Sequence, residues 1–598
     1  MCGIAGIFAY RAESPPVDQA ELLRVRERML TRGPDGAGLW ISPDQRVGLA
    51  HRRLAIIELS EAGAQPMLDP ETGNQIVFNG EIYNHAALRE ELLRSGETVR
   101  SHSDTEVLLK LYARHGAAML QRLRGMFAFA LWDAKRKTLF MARDAFGIKP
   151  LYIADDGRSL RFASQVKALL AGAVDTRPDP AGHAGFLLWG SVPEPFTLYR
   201  GIRALPPGHW IEVKDGRMGT PVCFDSPLLG LQQVRTAAPG DTTAALEAMA
   251  AAVRDSVAAH MVADVPVGVF LSAGLDSTMI AACASHLGEL RTLSLGFDEY
   301  AGTANDEAGL AAEVATSLNA RHTLTRVVGA DFAQDREQML GAMDQPSIDG
   351  INSWFVAKMA AQQGLKVALS GIGGDELFGS YPSFSQVPQL RSRMAGLGRV
   401  PLLGKALRQG LSSMGCMLPS PKYAGLVEYG GTLGGAYLLR RALFMPWELS
   451  GQMDPDMATE GLQTLDTLAQ LNRSTQGTGS ERLAMSALEM QWYMKNQLLR
   501  DADWAGMAHS LEIRVPFADT TLLRQLVEIP TLSATQEKRR IARTVAPQLP
   551  AGVLNRPKTG FAVPIHQWLN PGAAMSVGHY RGWGRLLYSR FTDQGQPT

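Results

Sequence analysis

The stretch Val265-Pro266-Val267-Gly268-Val269-Phe270-Leu271-Ser272-Ala273-Gly274-Leu275-Asp276-Ser277 runs from apolar residues through a loop of small ones into a helical pattern. A short apolar run bounded by turn residues reads as a buried strand. The helix expected over Ser277–Leu287 starts where free backbone N–H groups point outward, so the loop is a ready anion site. The Walker pattern, with Gly-Lys followed by Ser or Thr, is absent here. Further on, a strand is expected over Thr292–Phe297, a helix over Asp306–Leu318 and a strand over Lys366–Ser370. A second small-residue loop follows: Ser370-Gly371-Ile372-Gly373-Gly374-Asp375-Glu376. Strands alternating with helices predict a parallel sheet with crossover helices. Two strand ends, each with a Gly-rich loop and an acid, suit a nucleotide crevice at the carboxyl edge of such a sheet. Asp276 and Asp375 are the natural Mg²⁺ ligands, because Mg²⁺ is usually held by one or two carboxylates plus phosphates.

Upstream of this region, Thr242–Val262 reads as an Ala-rich amphipathic helix, and 225–241 holds Pro, Gly and Gln with no sustained period. The latter reads as a linker. Residues 1–224 read as a strand-rich domain, with short apolar runs at Gly3–Ala9, Gln75–Asn79, Phe127–Trp132 and Thr138–Arg143. Helical patterns fall at Gln19–Leu30, Ala86–Ser95 and Thr105–His115. Downstream, 385–480 is helical and carries no chemical motif, and the remainder is helical with loops. The expected fold is therefore α/β and multidomain. A layered β-sheet domain with helices (1–224) precedes a parallel-sheet α/β domain (242–598), which has a helical insertion around 385–480.

A chain of 598 residues exceeds what one core serves. Lys plus Arg equals Asp plus Glu at 59 each, so no global field favours nucleic acid or an anionic membrane. The four cysteines, Cys2, Cys223, Cys283 and Cys416, are far apart, which suggests neither a disulfide framework nor a zinc site. A reducing cytoplasm is the expected setting. There is no signal-peptide pattern, and no run reaches the roughly 18–20 apolar residues needed to span a bilayer.

Cys2 opens the N-terminal half. Removal of Met1 would place a thiol and a free α-amine on one residue. That amine has a reference pKa of about 7.7–8.0 and can act as a base near neutral pH. A nucleophile activated by the N-terminal amine is an established arrangement. Beside it stand Arg32-Gly33-Pro34-Asp35-Gly36, His51-Arg52-Arg53-Leu54, Asn79-Gly80-Glu81-Ile82-Tyr83-Asn84, Ser103-Asp104-Thr105-Glu106 and the run Arg143–Tyr152.

Together these segments resemble the glutaminase domain of class II glutamine amidotransferases, the N-terminal-nucleophile hydrolases. The resemblance implies that Cys2 attacks the side-chain amide of glutamine. Asn79 and the N–H of Gly80 would form the oxyanion hole, Arg53 would hold the α-carboxylate, and Glu81 and Asp104 the α-ammonium. Thr31 stands where relatives often carry histidine.

The loop at Ser272 resembles the pyrophosphate-binding loop of ATP pyrophosphatases, with Ala273 in place of a glycine. A methyl group there is tolerable only if φ is negative. The two halves in this order resemble the glutamine-hydrolysing asparagine synthetase family. That implies ATP held by Leu271, Ser272, Gly274, Asp276, Ser277, Leu295, Ser370 and Gly371, with Mg²⁺ on Asp276 and Asp375. It also implies a phosphate- or acyl-adenylate-contacting lysine, Lys558, and a pocket wall at Arg514–Asp519. The implied substrates are glutamine, ATP and a carboxylate acceptor, with no nucleic acid or membrane partner. A homodimer is a family expectation. The implied reaction converts the carboxylate and ATP into an acyl-adenylate and pyrophosphate, and ammonia from glutamine then displaces AMP. Free ammonia is mostly protonated at neutral pH, so a dry path between the domains would keep it reactive.

The family commonly has glutamate where this chain has Ile372. Replacing an acid with a β-branched aliphatic removes polar contacts near the acceptor. Three readings follow: an enzyme acting on aspartate, the same chemistry on another carboxylate, or a non-catalytic relative.

Overall fold

The computed structural model describes residues 2–233, 242–303, 305–396, 401–412, 420–529, 537–556, 563–569 and 579–593. The N-terminal half is built on two antiparallel sheets. The first has the order β10 (Arg203–Ala204), β8 (Tyr152–Asp155), β9 (Ser159–Ala163), β1 (Gly3–Ala9), β3 (Val47–Arg53), β2 (Gly36–Ile41). The second has the order β12 (Arg217–Met218), β11 (His209–Lys214), β7 (Thr138–Arg143), β6 (Gly125–Asp133), β5 (Gln75–Ile82), β4 (Met67–Leu68), and β13 (Val222–Cys223) also pairs with β11.

Ile4, Phe8 and Leu49 of the first sheet interleave with Val77, Ala128 and Met141 of the second. The outer face of the second sheet is covered by the helix Asp104–His115, whose Leu108 and Leu111 meet Phe78, Phe129 and Phe140. The helix Gln19–Glu27 covers the other outer face through Leu22 and Val25. Each sheet is thus buried on both sides, which is why β1 is apolar or small along its whole length instead of alternating.

The C-terminal sheet is parallel, in the order β16 (Arg321–Val327), β15 (Arg291–Phe297), β14 (Val267–Phe270), β17 (Val367–Leu369), β18 (Glu512–Arg514). Chain direction across the sheet reverses between β14 and β17, which pair through Val267↔Val367 and Val269↔Leu369. This is the switch point of a doubly wound sheet, where ligands bind beyond the strand ends. The Ser272 and Ser370 loops leave those two strands. β16 and β18 have no counterpart in the sequence reading. β16 is a polar, half-exposed edge strand, and β18 is three residues long with two charges that are fully buried.

The segment expected as a linker begins with a helix, Pro227–Gln232, whose Leu231 joins the C-terminal core; residues 234–241 lie outside the described part. The 385–480 region is helical as expected, including Leu433–Arg441 and Pro455–Leu465. Among the described residues no helix is long and apolar enough to cross a membrane. The halves share one apolar core, in which Leu54, Ile56, Tyr83 and Phe146 pack with Met249, Val253 and Val267. Arg124 of the first half is paired with Asp519 of the second at 2.5 Å.

Candidate functional site

Cys2 precedes β1 and is 8% exposed. Its backbone N–H donates to Asn79 Oδ1 at 2.9 Å, so β5 of the opposite sheet is brought against the chain start. Asn79 is fully buried and, among the described residues, its Nδ2 has no hydrogen-bond partner. An amide with one end engaged and its donor end open is unusual in a protein interior. Gly80 follows in β5, and a Cβ there would stand 2.1 Å from the Met126 carbonyl oxygen. Only glycine lets β5 and β6 approach so closely. Burial pushes the Cys2 thiol above its ordinary pKa, so the resting group is the neutral thiol and a base must remove its proton.

Glu81 and Asp104 are both buried, and burial raises both carboxyls. Glu81 also feels the charge of Glu512, and Arg514 Nη2 lies 3.7 Å from its Oε1. Asp104 Oδ2 accepts the Ile82 N–H at 3.0 Å. Arg53 turns its guanidinium onto the carbonyls of Ser60 (2.8 Å) and Glu58.

Arg32, left without a role in the sequence reading, is fully buried. Its Nε donates to the Cys2 carbonyl at 3.1 Å, and its two terminal nitrogens grip Asp503 at 2.6 and 2.9 Å. A bidentate pair fixes orientation as well as distance. The Cys2 backbone is therefore held from the C-terminal half. The only sequence signal for this was the position of Arg32 at the head of the Gly33–Gly36 turn.

The second site is a pocket of about 990 Å³ at the switch point. Leu271, Ser272, Gly274, Asp276, Ser277, Leu295, Ser370, Gly371, Ile372 and Asp375 all line it. The Ser272 loop is self-braced, with Ser277 Oγ 2.9 Å from Ser272 Oγ and accepting from the Ser272 N–H at 3.1 Å. Ala273 is not among the positive-φ residues, so its methyl group causes no backbone strain. Gly374 lies against Asp276: a Cβ there would stand 2.2 Å from Asp276 Oδ1 and would force that carboxylate to shift. The closeness brings the two loops together.

Lys538, on the helix Glu537–Val545, places Nζ 2.6 Å from both Asp276 Oδ2 and Asp375 Oδ1. Two carboxylates that converge on one ammonium can converge equally on a divalent cation with phosphate oxygens completing its shell. The donor set therefore fits Mg²⁺. Arg539, Arg540 and Arg556 add positive charge along the wall. The run Glu537-Lys538-Arg539-Arg540 was visible in the sequence, but nothing local tied it to the loops. Lys558 lies outside the described residues. Arg514 and Phe517 support the pocket from behind: Arg514's carbonyl accepts the Ser370 N–H at 2.8 Å, and Phe517 packs beside Gly373.

Between the two sites lies a small cavity lined by Arg143, Tyr152, Asn496, Arg500, Asp501 and Asp503. Asp503 is the partner of Arg32, and Asp501 also lines the large pocket. Asp501 accepts from Trp504 Nε1 and Ser347 Oγ, each at 2.8 Å. Burial, and then the nearby Asp349 charge, raise its pKa to about 7.

A buried thiol beside an open amide, together with a nucleotide-type crevice, defines a two-site protein of the amidotransferase class. Residues 1–222 match the glutamine amidotransferase domain family, and residues 248–577 match the asparagine synthase family. The chain belongs to the asparagine synthase family. It is 32% identical to asparagine synthetase [glutamine-hydrolyzing] 1 of Bacillus subtilis, over 95% of this chain and 88% of that one. It is 34% identical to a putative asparagine synthetase [glutamine-hydrolyzing] of Mycobacterium tuberculosis, over 96% and 89%. A third relative, amidase chry2 of Gibberella zeae, is 30% identical over 64% of this chain and 60% of its own length.

Proposed function

We propose that this protein is an ATP-dependent amide ligase that takes nitrogen from glutamine. The reading is carried by Asn79, which holds Cys2 with its oxygen while its buried Nδ2 stays open. That donor and the Gly80 N–H suit the oxyanion formed when Cys2 Sγ attacks the glutamine carboxamide. A preorganised donor of this kind is worth about 10²–10³ in rate. With Met1 removed, the Cys2 amine accepts the thiol proton and returns it to the departing ammonia. Water then hydrolyses the thioester to glutamate. Glu81 and Asp104 provide the acidic wall for the glutamine ammonium, and Arg53 the cation for its carboxylate.

In the large pocket, the Ser272 loop and the cations around Lys538 receive the phosphates of ATP, and Lys558 is assigned to the same phosphates. Mg²⁺ held by Asp276 and Asp375 would neutralise phosphate charge there. The acceptor carboxylate attacks the α-phosphorus, pyrophosphate leaves, and ammonia displaces AMP from the acyl-adenylate to give the amide. Ammonia reaches the adenylate past Asp503 and Asp501, along the cavity between the halves.

Aspartate is the first acceptor to test. Ile372 on the pocket wall favours a second reading, the same chemistry on another carboxylate, because it supplies no charge where an amino acid's polar groups need partners. Pyrophosphate release with MgATP, ammonium and a panel of acids separates the two. Release with aspartate and asparagine formation from glutamine support the first reading; release with another acid alone selects the second. No release with any acid would defeat both.

A further inference from the structure

A second chamber of about 230 Å³ adjoins the large pocket and shares Asp349, Tyr493 and Tyr580 with it. Its walls are aromatic. Trp189 and Trp492 face each other with ring centres 5.2 Å apart at 34°, and Tyr437 lies 6.2 Å from Trp189. Trp189 comes from the N-terminal half, at the end of the helix Pro180–Trp189. The chamber thus exists only because the halves are packed together.

The backbone behind it is unusual. Glu489–Leu498 is π-helical over ten residues, whereas π geometry is rare, mostly confined to single turns and frequent at functional sites. A π-helical hydrogen bond spans five residues, one more than an α-helical one. It brings Trp492 and Gln497 together on the annex, and Tyr493 and Leu498 together on the large pocket. An α-helix through the same residues would not stack these pairs. The irregular helix therefore serves both chambers at once.

Two of the annex's lining residues are charged, Arg441 and Asp349, and each is engaged. Arg441 lies over the Tyr493 ring at 3.9 Å from its centre, and its guanidinium is paired with Glu489 at 2.8 Å. The Tyr493 hydroxyl donates to Asp349 at 2.8 Å. An anionic arm would meet an Arg441 already paired with Glu489, and a cationic arm an Asp349 already holding the Tyr493 hydroxyl, so an uncharged arm disturbs neither. A ring would find an aromatic wall made by Trp189 and Trp492, with Gln497 lining the same chamber for hydrogen bonding. Aspartate fills neither the volume nor the aromatic surface.

The geometry points to an acceptor whose carboxylate is carried on an uncharged, ring-bearing arm. The carboxylate lies against the ATP pocket and the ring lies against the wall that Trp189 and Trp492 form together. This rests on the amide-ligase reading and specifies its acceptor. The ring can be a saturated sugar or an aromatic, and the test separates them. Pyrophosphate release with MgATP and ammonium is measured for aspartate and the open-chain acid succinate, for the sugar acids glucuronate and galacturonate, and for the aromatic-bearing acids 3-phenylpropionate and indole-3-propionate.

A ring-bearing acid is expected to exceed aspartate in kcat/KM by about ten-fold, roughly what one aromatic contact supplies. Trp492→Ala should raise its KM by a similar factor with kcat retained, and leave any aspartate-dependent release unmoved. Trp189→Phe, which keeps a ring, should retain most of the affinity. Glutamate release from glutamine serves as the folding control for both variants. The proposal is overturned if aspartate or succinate is the best substrate, or if Trp492→Ala leaves the KM of the ring-bearing acid unchanged. In either case the amide-ligase reading stands. Silence with every acid overturns both.

Discussion

The two sites are built on opposite principles. Around Cys2 the chain is closed: Asn79 is fully buried, Cys2 nearly so, and each neighbour is fixed by a strand or by the Arg32–Asp503 pair. At the switch point the chain is open, with loops from two strands framing about 990 Å³ and an aromatic annex beyond. The resemblance to the family is intact at the closed site apart from Thr31. It breaks at the open one, at Ala273 and Ile372. A site that handles one small amide gains from rigidity, since orientation lowers the barrier directly. A site on loops can change what it binds without disturbing Cys2 on the other side of the interface.

Separating the two sites gives the largest effect. Cys2→Ala removes the proposed nucleophile and should cut glutamine-dependent amide formation by about 10³-fold or more. Ammonium-dependent formation should persist within about two-fold. Loss of both rates in a folded protein would erase the distinction between a donor site and an acceptor site.

The converse variant acts on the open site. Asp276→Asn or Asp375→Asn takes charge from the carboxylate pair around Lys538 and should lower pyrophosphate release by about 10²-fold, because a metal clamp on phosphate contributes several kcal/mol. Glutamate release should continue. A wild-type rate with either variant would show that phosphate charge is met by the surrounding cations alone.

Asp503→Asn probes the connection between the sites. Arg32 stays buried, but its charged partner is gone, and a hydrogen bond to a charged group is worth about 1.5–3 kcal/mol. The glutaminase kcat should fall by roughly 10–100-fold, through a displaced Cys2 carbonyl, while ammonium-dependent synthesis holds. Slower alkylation of Cys2 by iodoacetamide would accompany it. An unchanged kcat would mean that the closed site is rigid without help from the other half.

Much of this contrast was legible in the sequence because short motifs encode local geometry. The runs at Gly3–Ala9 and Thr138–Arg143 became strands with those same ends, and the Ser272 and Ser370 loops landed side by side at the sheet edge. What stayed hidden depends on pairing across long separations. Lys538 reads as one charge in a basic run until the fold sets it between Asp276 and Asp375, 262 and 163 residues away. Arg32 and Asp503 are 471 residues apart. β18 is too short for any periodicity, and its Glu512 and Arg514 are buried because they satisfy each other at 2.6 Å. The π-helical stretch carries no compositional mark, since Trp492 and Tyr493 fit an α-helical pattern equally well.

The smallest effect separates the two departures at the open site from each other. Ala273 is 1% exposed and holds an ordinary backbone conformation. Its methyl group is packed inward. Ala273→Gly should therefore leave the KM for ATP within about two-fold, and should cost about 0.5–1 kcal/mol of stability through added chain entropy. A melting curve and an ATP titration of the same preparation measure both. A large gain in ATP affinity would mean that the methyl group obstructs the phosphates, and the loop would then share responsibility for altered function with Ile372. With only the stability loss, the divergence of the open site rests on the acceptor side alone, at Ile372 and the chamber beyond it.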